Sequence, residues 1–253
     1  ELAELHKKEA GLIFTSGYVA NLTTLSTIGQ MLPDCVIISD ALNHNSMIAG
    51  IRHSRSEKMI FRHNDIKDLE QKLKKIKLHR PKIIAFESVY SMDGDIAPIK
   101  EICALAKKYN ALTFLDEVHA VGLYGDNGAG VAERDGLMEK IDIIQGTLAK
   151  GFGVVGGYIS GSAALCDFIR SYGDGFIFSS SMPPAVAAGC LASVKYVRAH
   201  NELREKHQER AATLKQRLKD AGIPVMPSET HIVPVMVNDP ILCKQASDEL
   251  MFN

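Results

Sequence analysis

Residues 114–119 read F-L-D-E-V-H, and this stretch decides the predicted fold. An apolar strand, predicted over residues 112–118, carries Asp116 and Glu117 near its end and leads directly to His119. Strands that are apolar at successive positions are typical of a parallel sheet covered on both faces. Such sheets bind ligands at the carboxyl ends of their strands, so the stretch also predicts a site. Taken alone, an acidic residue at the end of a strand is about as often a helix cap as a functional group.

Five further strands are predicted around this one, over residues 35–39, 59–63, 82–89, 142–148 and 155–160. Amphipathic helical patterns separate them, for example over residues 66–78 and 99–110, where apolar side chains recur at helical spacing. This alternation predicts an α/β fold, a mainly parallel sheet with flanking helices and right-handed crossovers.

The pattern changes after two consecutive prolines, Pro183-Pro184. A long helical stretch over residues 185–221 is followed by a strand-like run over residues 231–237. We therefore expect a large domain over residues 1–190 and the start of a smaller α+β domain over residues 191–253. The chain begins and stops within helical patterns, which predicts an internal fragment with the beginning of the large domain and the rest of the small domain outside it.

Composition narrows the class of protein. The chain has 253 residues, of which 46% are hydrophobic and 23% charged, as expected for a globular protein with a sizeable core. The net charge of −1 offers no electrostatic basis for binding nucleic acid or an anionic membrane. No apolar run approaches the roughly 18 residues that cross a bilayer. Residues 1–10 are charged and helix-forming, unlike a signal peptide or an Arg-rich transit segment.

Five cysteines are scattered along the chain without any C-x-x-C pair. Their odd number and spacing argue against a disulfide framework and against a zinc site, and no other metal is predicted. They favour a reducing compartment. Because the chain shows no trace of a transit peptide, we expect a cytoplasmic protein.

Residues 151–156, G-F-G-V-V-G, match the G-x-G-x-x-G fingerprint of dinucleotide-binding proteins. In that motif the third glycine opens a helix, whose N-terminus receives the pyrophosphate. Here the glycines lead into residues 157–160, G-Y-I-S, which are typical of a strand. We interpret the run as a flexible glycine turn rather than a nicotinamide site.

Two more motifs carry candidate chemistry. Residues 146–151, G-T-L-A-K-G, place Lys150 at the end of an apolar strand. Such a lysine is usually a solvated surface residue, but the apolar neighbours Leu148 and Phe152 favour a pocket, where burial lowers the pKa of an amine and makes it nucleophilic. Residues 15–21, T-S-G-Y-V-A-N, form a small-residue turn that opens a helix and can hold a phosphate.

Together the three motifs supply what pyridoxal 5′-phosphate (PLP) requires of a protein. These requirements are a lysine for covalent attachment, a carboxylate for the pyridinium nitrogen and a helix N-terminus for the phosphate. The carboxylate keeps the ring nitrogen protonated, and only the protonated ring is a strong electron sink.

The order of motifs resembles the α-oxoamine synthase family of fold-type I PLP enzymes. The motifs are S-G-Y-V-A-N, N-H-N-S-M, E-S-V-Y-S-M-D-G-D, D-E-V-H-A-V-G, T-L-A-K-G-F-G and F-I-F-S-S-S-M-P-P. The similarity covers essentially all 253 residues. Members of this family condense an amino acid with an acyl-CoA and release carbon dioxide, so the resemblance implies the fold-type I transferase fold and a PLP-dependent acyltransferase.

The resemblance also implies roles for single residues. Lys150 would bind the cofactor covalently and transfer protons, and Asp116 would pair with the ring nitrogen. His119 would hydrogen-bond the O3′ of the ring, with Ser91 near the same oxygen or the substrate. His44 would stack on the ring, although a histidine near a helix start can also be purely structural.

The remaining implied contacts concern the phosphate and the substrate. Thr147 and the backbone of Gly17 and Tyr18 would hold the phosphate, and the hydroxyls of Ser179 and Ser180 would reach it from the partner subunit of a homodimer. The positions that contact the acyl-CoA match Ser39 and Lys58.

Four stretches, at residues 43–48, 61–65, 128–136 and 231–235, favour the family member that uses glycine and succinyl-CoA to make 5-aminolevulinate for tetrapyrrole synthesis. Two alternatives stay open. One is a sister enzyme that uses glycine, alanine or serine with another acyl-CoA, and the other is a non-catalytic subunit of the same fold. A degenerate subunit would be expected to lack Lys150.

Overall fold

β-Branched and aromatic residues form a seven-stranded sheet in the computed structural model, which describes residues 1–252. The strands are β1 (Ala10–Phe14), β2 (Val36–Asp40), β3 (Glu57–Phe61), β4 (Lys82–Glu87), β5 (Leu112–Asp116), β6 (Ile143–Thr147) and β7 (Gly157–Gly161). Their order across the sheet is β1-β7-β6-β5-β4-β2-β3. β7 is antiparallel to both of its neighbours, and all other pairings are parallel. The carboxyl ends of β2 to β6 therefore lie along one edge.

Helices cover both faces of the sheet. They are α1 (Leu2–Leu5), α2 (Gly17–Met31), α3 (Asn45–Ser54), α4 (Ile66–Leu73), α5 (Ile99–Tyr109), α6 (Val131–Arg134), a 3₁₀ turn (Met138–Lys140), α7 (Ala163–Tyr172), α8 (Asp174–Ile177), α9 (Pro184–Ala199), α10 (Asn201–Asp220) and α11 (Pro240–Phe252). Within residues 1–252, none of these helices is long and apolar enough to cross a membrane.

Successive residues of the central strands enter two different cores. Phe114 and Ile143 pack with α2 and α3 on one face, whereas Leu115 and Ile144 pack with α5 on the other. All four side chains have no exposed surface. Burial on both faces explains why these strands are apolar at successive positions, and it confirms the predicted α/β fold.

Several predicted elements differ in detail. Residues 1–10 are helical only at Leu2–Leu5, and Ala10–Phe14 forms the unpredicted β1, which pairs with β7. The predicted strands over 82–89 and 112–118 end at Glu87 and Asp116, because the following residues turn into loops. The glycine run 151–156 leads into β7, as predicted, so it cannot form a dinucleotide-binding turn.

The region after residue 183 also needs correction. The single helix predicted over residues 185–221 is two helices, α9 and α10, because His200 leaves the helical conformation. The strand predicted over residues 231–237 is reduced to one bridge between Val225 and Val235, since Pro234 has no N–H for a ladder. The domain boundary at residue 190 stays a prediction. It lies inside α9, whose Cys190 and Val194 belong to the core of the sheet domain.

The contact between β7 and the start of α2 generates a first prediction. A Cβ on Gly157 would lie 2.3 Å from the backbone nitrogen of Gly17. Gly157→Ala should therefore lower the free energy of unfolding in urea by roughly 1–3 kcal/mol, because backbone atoms would have to move. Gly189→Ala in α9 is the control, since its Cβ would meet nothing within 4 Å. It should leave stability unchanged or raise it by roughly 0.5–1 kcal/mol. Equal effects would contradict the packing described.

Candidate active site

A cavity of ≈180 Å³ lies at the carboxyl edge of the sheet, where β4, β5 and β6 end. The beginnings of α2 and α3 close its other sides. It is lined by eleven residues, Gly17, Tyr18, Asn21, His44, Ser46, Glu87, Asp116, Val118, His119, Thr147 and Lys150. Seven of the predicted site residues, from four separate segments of the chain, therefore meet in one cavity.

Asp116, the last residue of β5, forms the floor of the cavity and is 3% exposed. One carboxylate oxygen, Oδ2, accepts a hydrogen bond from Asn21 Nδ2 at 2.7 Å, and Oδ1 accepts one from the backbone N–H of Val118 at 2.8 Å. Burial raises the pKa of Asp116, while these two donors oppose that shift. The site therefore holds an anion at a cost that a cationic ligand group would relieve.

Lys150 faces this carboxylate from the loop after β6. Its Nζ lies 2.6 Å from Nε2 of His119. The residue is exposed at the mouth of the cavity, but partial burial of the amine lowers the pKa of Lys150, against the pull of Asp116 and Glu87. Burial and the charge of Lys150 lower the pKa of His119 to about 4. His119 is thus neutral near pH 7 and accepts the hydrogen bond that Lys150 donates.

Two glycines allow this approach. A Cβ on Gly151 would lie 2.3 Å from the carbonyl oxygen of Val121, and Gly122 has a φ of +82°, which residues with side chains rarely adopt. The loops after β5 and β6 can therefore touch along their backbones. This contact brings Lys150 within hydrogen-bonding distance of His119.

His44 stands on the opposite wall as the N-cap of α3. Its Nδ1 accepts a hydrogen bond from the backbone N–H of Ser46 at 3.2 Å and lies 2.7 Å from Ser46 Oγ. Since an accepting nitrogen carries no proton, the hydrogen of the ring is on Nε2. The backbone N–H of His44 donates to Oε1 of Glu87 at 2.5 Å. Ser46 thus holds the ring of His44 and Glu87 holds its backbone at the cavity rim.

The N-terminus of α2 forms the third wall. Ser16 caps the helix by accepting from the backbone N–H of Val19 at 3.1 Å, and Gly17 and Tyr18 follow as the first helical residues. Thr147, at the end of β6, donates to the carbonyl of Gly156 at 2.9 Å beside them. A 15-residue helix that points its free N–H groups at a cavity suits an anionic group such as a phosphate.

Five predicted residues do not line this cavity. Ser39 donates to the carbonyl of Asp40 at 3.0 Å within the sheet, and Lys58 is exposed on β3. Ser91 follows Tyr90 in the loop after β4. Ser179 and Ser180 line a separate, more open cavity of ≈540 Å³, beside Thr15 and α8.

The sequence analysis did not predict four of the lining residues, which are Asn21, Ser46, Glu87 and Val118. Glu87 carries the same signal as Asp116, since it too ends an apolar strand. Asn21 and Ser46 lie inside quoted motifs, S-G-Y-V-A-N and N-H-N-S-M, but no local pattern indicates that they meet. Among residues 1–252 there is no cluster of three metal-binding side chains.

Comparison with known proteins identifies the class. Residues 1–253 match the model of the family "Aminotransferase class I and II". The chain belongs to that family, which agrees with the parallel sheet and with the lysine and aspartate at its carboxyl edge.

Curated relatives share more than half of their aligned residues with this chain. The chain is 57% identical over 251 residues to the 5-aminolevulinate synthase of Bradyrhizobium diazoefficiens. This match covers 99% of this chain and 61% of that protein. It is 58% identical over 253 residues to the 5-aminolevulinate synthase of Rhizobium meliloti, covering 100% and 63%. The mitochondrial enzyme of Schizosaccharomyces pombe is 59% identical over 251 residues, covering 99% and 45%. The chain thus spans less than two thirds of the length of these relatives.

Solved structures confirm the fold-type I architecture. Serine palmitoyltransferase from S. paucimobilis, solved with a bound PLP–myriocin aldimine, superposes with a TM-score of 0.89 at 35% identity. The match covers 95% of this chain and 62% of that one. An 8-amino-7-oxononanoate synthase from Francisella tularensis has the same fold, with a TM-score of 0.84 at 21% identity over 100% of this chain and 73% of that one.

Proposed function

We propose that the protein is a PLP-dependent 5-aminolevulinate synthase, which condenses glycine with succinyl-CoA and releases coenzyme A and carbon dioxide. The observation that carries the proposal is the pairing of Lys150 with His119 in a cavity floored by Asp116. The identity of 53–59% to curated 5-aminolevulinate synthases supports the choice of reaction.

The cavity fits PLP on three independent counts. Lys150 offers an amine of lowered pKa for the cofactor aldehyde. Asp116 offers a buried carboxylate whose pKa is raised by burial, and a protonated ring nitrogen beside it would stabilise the charge. The N-terminus of α2, with Thr147, offers donors for the phosphate. His119 would hold O3′, with Ser91 close by, and His44 would cover the ring.

PLP, when bound, supplies an electron sink for the α-carbon of glycine. The protein's own part begins with Lys150, whose Nζ takes the α-proton and later returns one. His119, neutral and 2.6 Å away, orients that amine by accepting its hydrogen. Partial burial lowers the pKa of Lys150, which favours the unprotonated amine that a base requires.

Asp116 acts through charge. A carboxylate in a buried site holds a proton on a facing ring nitrogen far more strongly than it would in water. Asn21 and Val118 each occupy one of its oxygens and so fix the plane of the carboxylate. The two hydrogen bonds thereby aim the remaining lone pairs into the cavity.

The reaction joins the α-carbon of glycine to the thioester carbonyl carbon of succinyl-CoA. The C–S bond breaks as coenzyme A leaves, and the carboxyl group of glycine then leaves as carbon dioxide. Ser39 and Lys58 are proposed contacts of the acyl-CoA, and they lie on β2 and on the edge strand β3. A second candidate is a sister enzyme that takes another amino acid or acyl-CoA, which the 35% identity to serine palmitoyltransferase keeps open.

Product analysis tests the proposal. Full-length protein with PLP and glycine should form 5-aminolevulinate with succinyl-CoA, and much less product with acetyl-CoA, pimeloyl-CoA or palmitoyl-CoA. Lys150→Ala should abolish turnover, whereas Lys107→Ala, an exposed lysine on α5, should not change it. Faster turnover with another acyl-CoA would identify a sister enzyme, and an active Lys150→Ala variant would refute the assignment.

A second test concerns the charge of Asp116. Asp116→Asn keeps the shape of the side chain but removes the anion, so turnover should fall by about 100-fold or more. Asp167→Asn, at an exposed position on α7, is the matched control and should retain activity. Rates of Asp116→Asn within about tenfold of the parent would mean that the residue is structural.

We further propose a homodimer that completes the phosphate site. Ser179 and Ser180 lie in a loop beside Phe178 and Ile177, which are 82% and 46% exposed. Exposed apolar side chains next to hydroxyls are typical of a surface that meets a partner. In a two-fold dimer each loop would reach the neighbouring site, which creates two equal sites. Within its own chain, Ser179 donates to the carbonyl of Gly175 at 2.7 Å, so a helix-capping role is the alternative.

Complementation separates these roles. Lys150→Ala protein is mixed and refolded with protein altered at both Ser179 and Ser180. Shared sites predict heterodimers with one intact site and one site that carries both lesions, and hence activity above the sum of the parents. If heterodimers form and the activity is only additive, the two hydroxyls act within their own chain.

A cytoplasmic location is also proposed. Bacterial relatives support it, whereas the fungal relatives are named mitochondrial. Nucleic acid and membrane are not proposed as partners.

A further inference from the structure

Glu87 is a buried carboxyl group in the cavity that the proposed mechanism does not use. It is the last residue of β4, and its register partner on the neighbouring parallel strand is Asp116. Register partners on parallel strands project to the same face, so both side chains enter the same cavity. Each is 3% exposed. Burial and mutual repulsion both disfavour the ionised forms of two adjacent carboxyl groups, so the presence of Glu87 beside Asp116 suggests a specific role for Glu87.

A chain of hydrogen bonds joins the two carboxyl groups around the cavity wall. Glu87 Oε1 accepts from the backbone N–H of His44 at 2.5 Å. The ring nitrogen Nδ1 of His44 lies 2.7 Å from Ser46 Oγ, which accepts from Asn21 Nδ2 at 3.0 Å. The same Asn21 nitrogen donates to Asp116 at 2.7 Å. This series of hydrogen bonds starts at Glu87 and ends at Asp116, which are neighbours in the sheet, so it fixes the cavity wall that carries His44.

We propose that Glu87 is a positioning residue, which holds the backbone N–H of His44 through a carboxyl oxygen and so fixes His44 in the wall of the cavity that Asp116 also lines. The inference rests on the proposed function for its catalytic consequence, because His44 would cover the cofactor ring. This positioning role requires a side chain as long as glutamate with an oxygen that accepts a hydrogen bond, and it does not require a negative charge.

The surroundings explain why Glu87 rather than Asp116 keeps a proton. Burial is the largest cause that raises the pKa of Glu87, to about 9, and the negative charge of Asp116 adds to it. Asp116 has two hydrogen-bond donors against its oxygens, whereas Glu87 has one backbone donor. The titratable groups that face Glu87 from the neighbouring elements are Asp116, Asp40, His44, Tyr90 and Lys150. Only Lys150 and the His44 N–H favour its ionised form.

Two substitutions separate length from charge. Glu87→Gln keeps the reach and the accepting oxygen but cannot carry a charge, and Glu87→Asp keeps the charge but is one methylene shorter. Turnover of the PLP-loaded protein should stay close to the parent in Glu87→Gln and fall by about 100-fold in Glu87→Asp, because a shift of about 1 Å in a positioned group costs that much. Glu101→Gln, at an exposed position on α5, is the control.

Hydrogen exchange followed by mass spectrometry reports the contact without any turnover. The amide of His44 should exchange slowly in the parent and in Glu87→Gln, and faster in Glu87→Asp. Equal exchange in all three would contradict the hydrogen bond.

The pH dependence of unfolding provides a third readout, in protein without PLP. The folded protein keeps the proton of Glu87 up to about pH 9, whereas the unfolded chain loses it near 4.5. The folded state therefore binds more protons between these values, and the free energy of unfolding falls as pH rises. Glu87→Gln has no such proton, so its stability relative to the parent should increase from pH 4.5 to 9.

The outcomes are distinct. An active Glu87→Asp with an inactive Glu87→Gln would show that the charge matters and would overturn the proposal. A stability difference that does not change with pH would overturn the neutral state. If the parent makes no 5-aminolevulinate, the proposed function fails, and hydrogen exchange and unfolding still decide the role of Glu87.

Discussion

The parallel pairing of β5 with β4 and β6 is the constraint on which the rest of the structure depends. It aligns Glu87 with Asp116 and Asp116 with Gln145, so the strands end at one edge and their loops enter one cavity. Burial of both faces of these strands in two apolar cores fixes the register. A slip by one residue would turn Asp116 into a core and remove it from the cavity. The site thus depends on core packing as directly as on its own side chains.

Burial also determines the chemistry. The same low-dielectric surroundings raise the pKa of Asp116 and lower those of Lys150 and His119. The amine of Lys150 and the carboxylate of Asp116 line the same cavity. They suit a ligand with an electrophilic group for the amine and a cationic group for the carboxylate. PLP has both features, and its phosphate matches the N-terminus of α2. The three proposed anchors of PLP lie at one sheet edge and one helix start.

Much of this arrangement could be predicted from the sequence because it follows from local rules. Apolar runs gave six of the seven strands within a few residues, and strand ends with functional side chains indicated Asp116 and Lys150. Ala10–Phe14 was missed because its alternating burial, with Leu12 and Phe14 inside, is short and follows a charged helix. The hydrogen bonds that involve Asn21, Ser46 and Glu87 join residues that are far apart in the sequence. Only tertiary packing brings them together, so no motif could indicate it.

Lys150 is the residue to which we propose that PLP is covalently attached. Borohydride reduction of the PLP-loaded protein, followed by proteolysis and mass spectrometry, tests it most directly. We expect a stable pyridoxyl label on the peptide that contains Lys150 and on no other lysine peptide. A label on a different lysine, or no label in protein that binds PLP, would show that Lys150 is not the attachment residue.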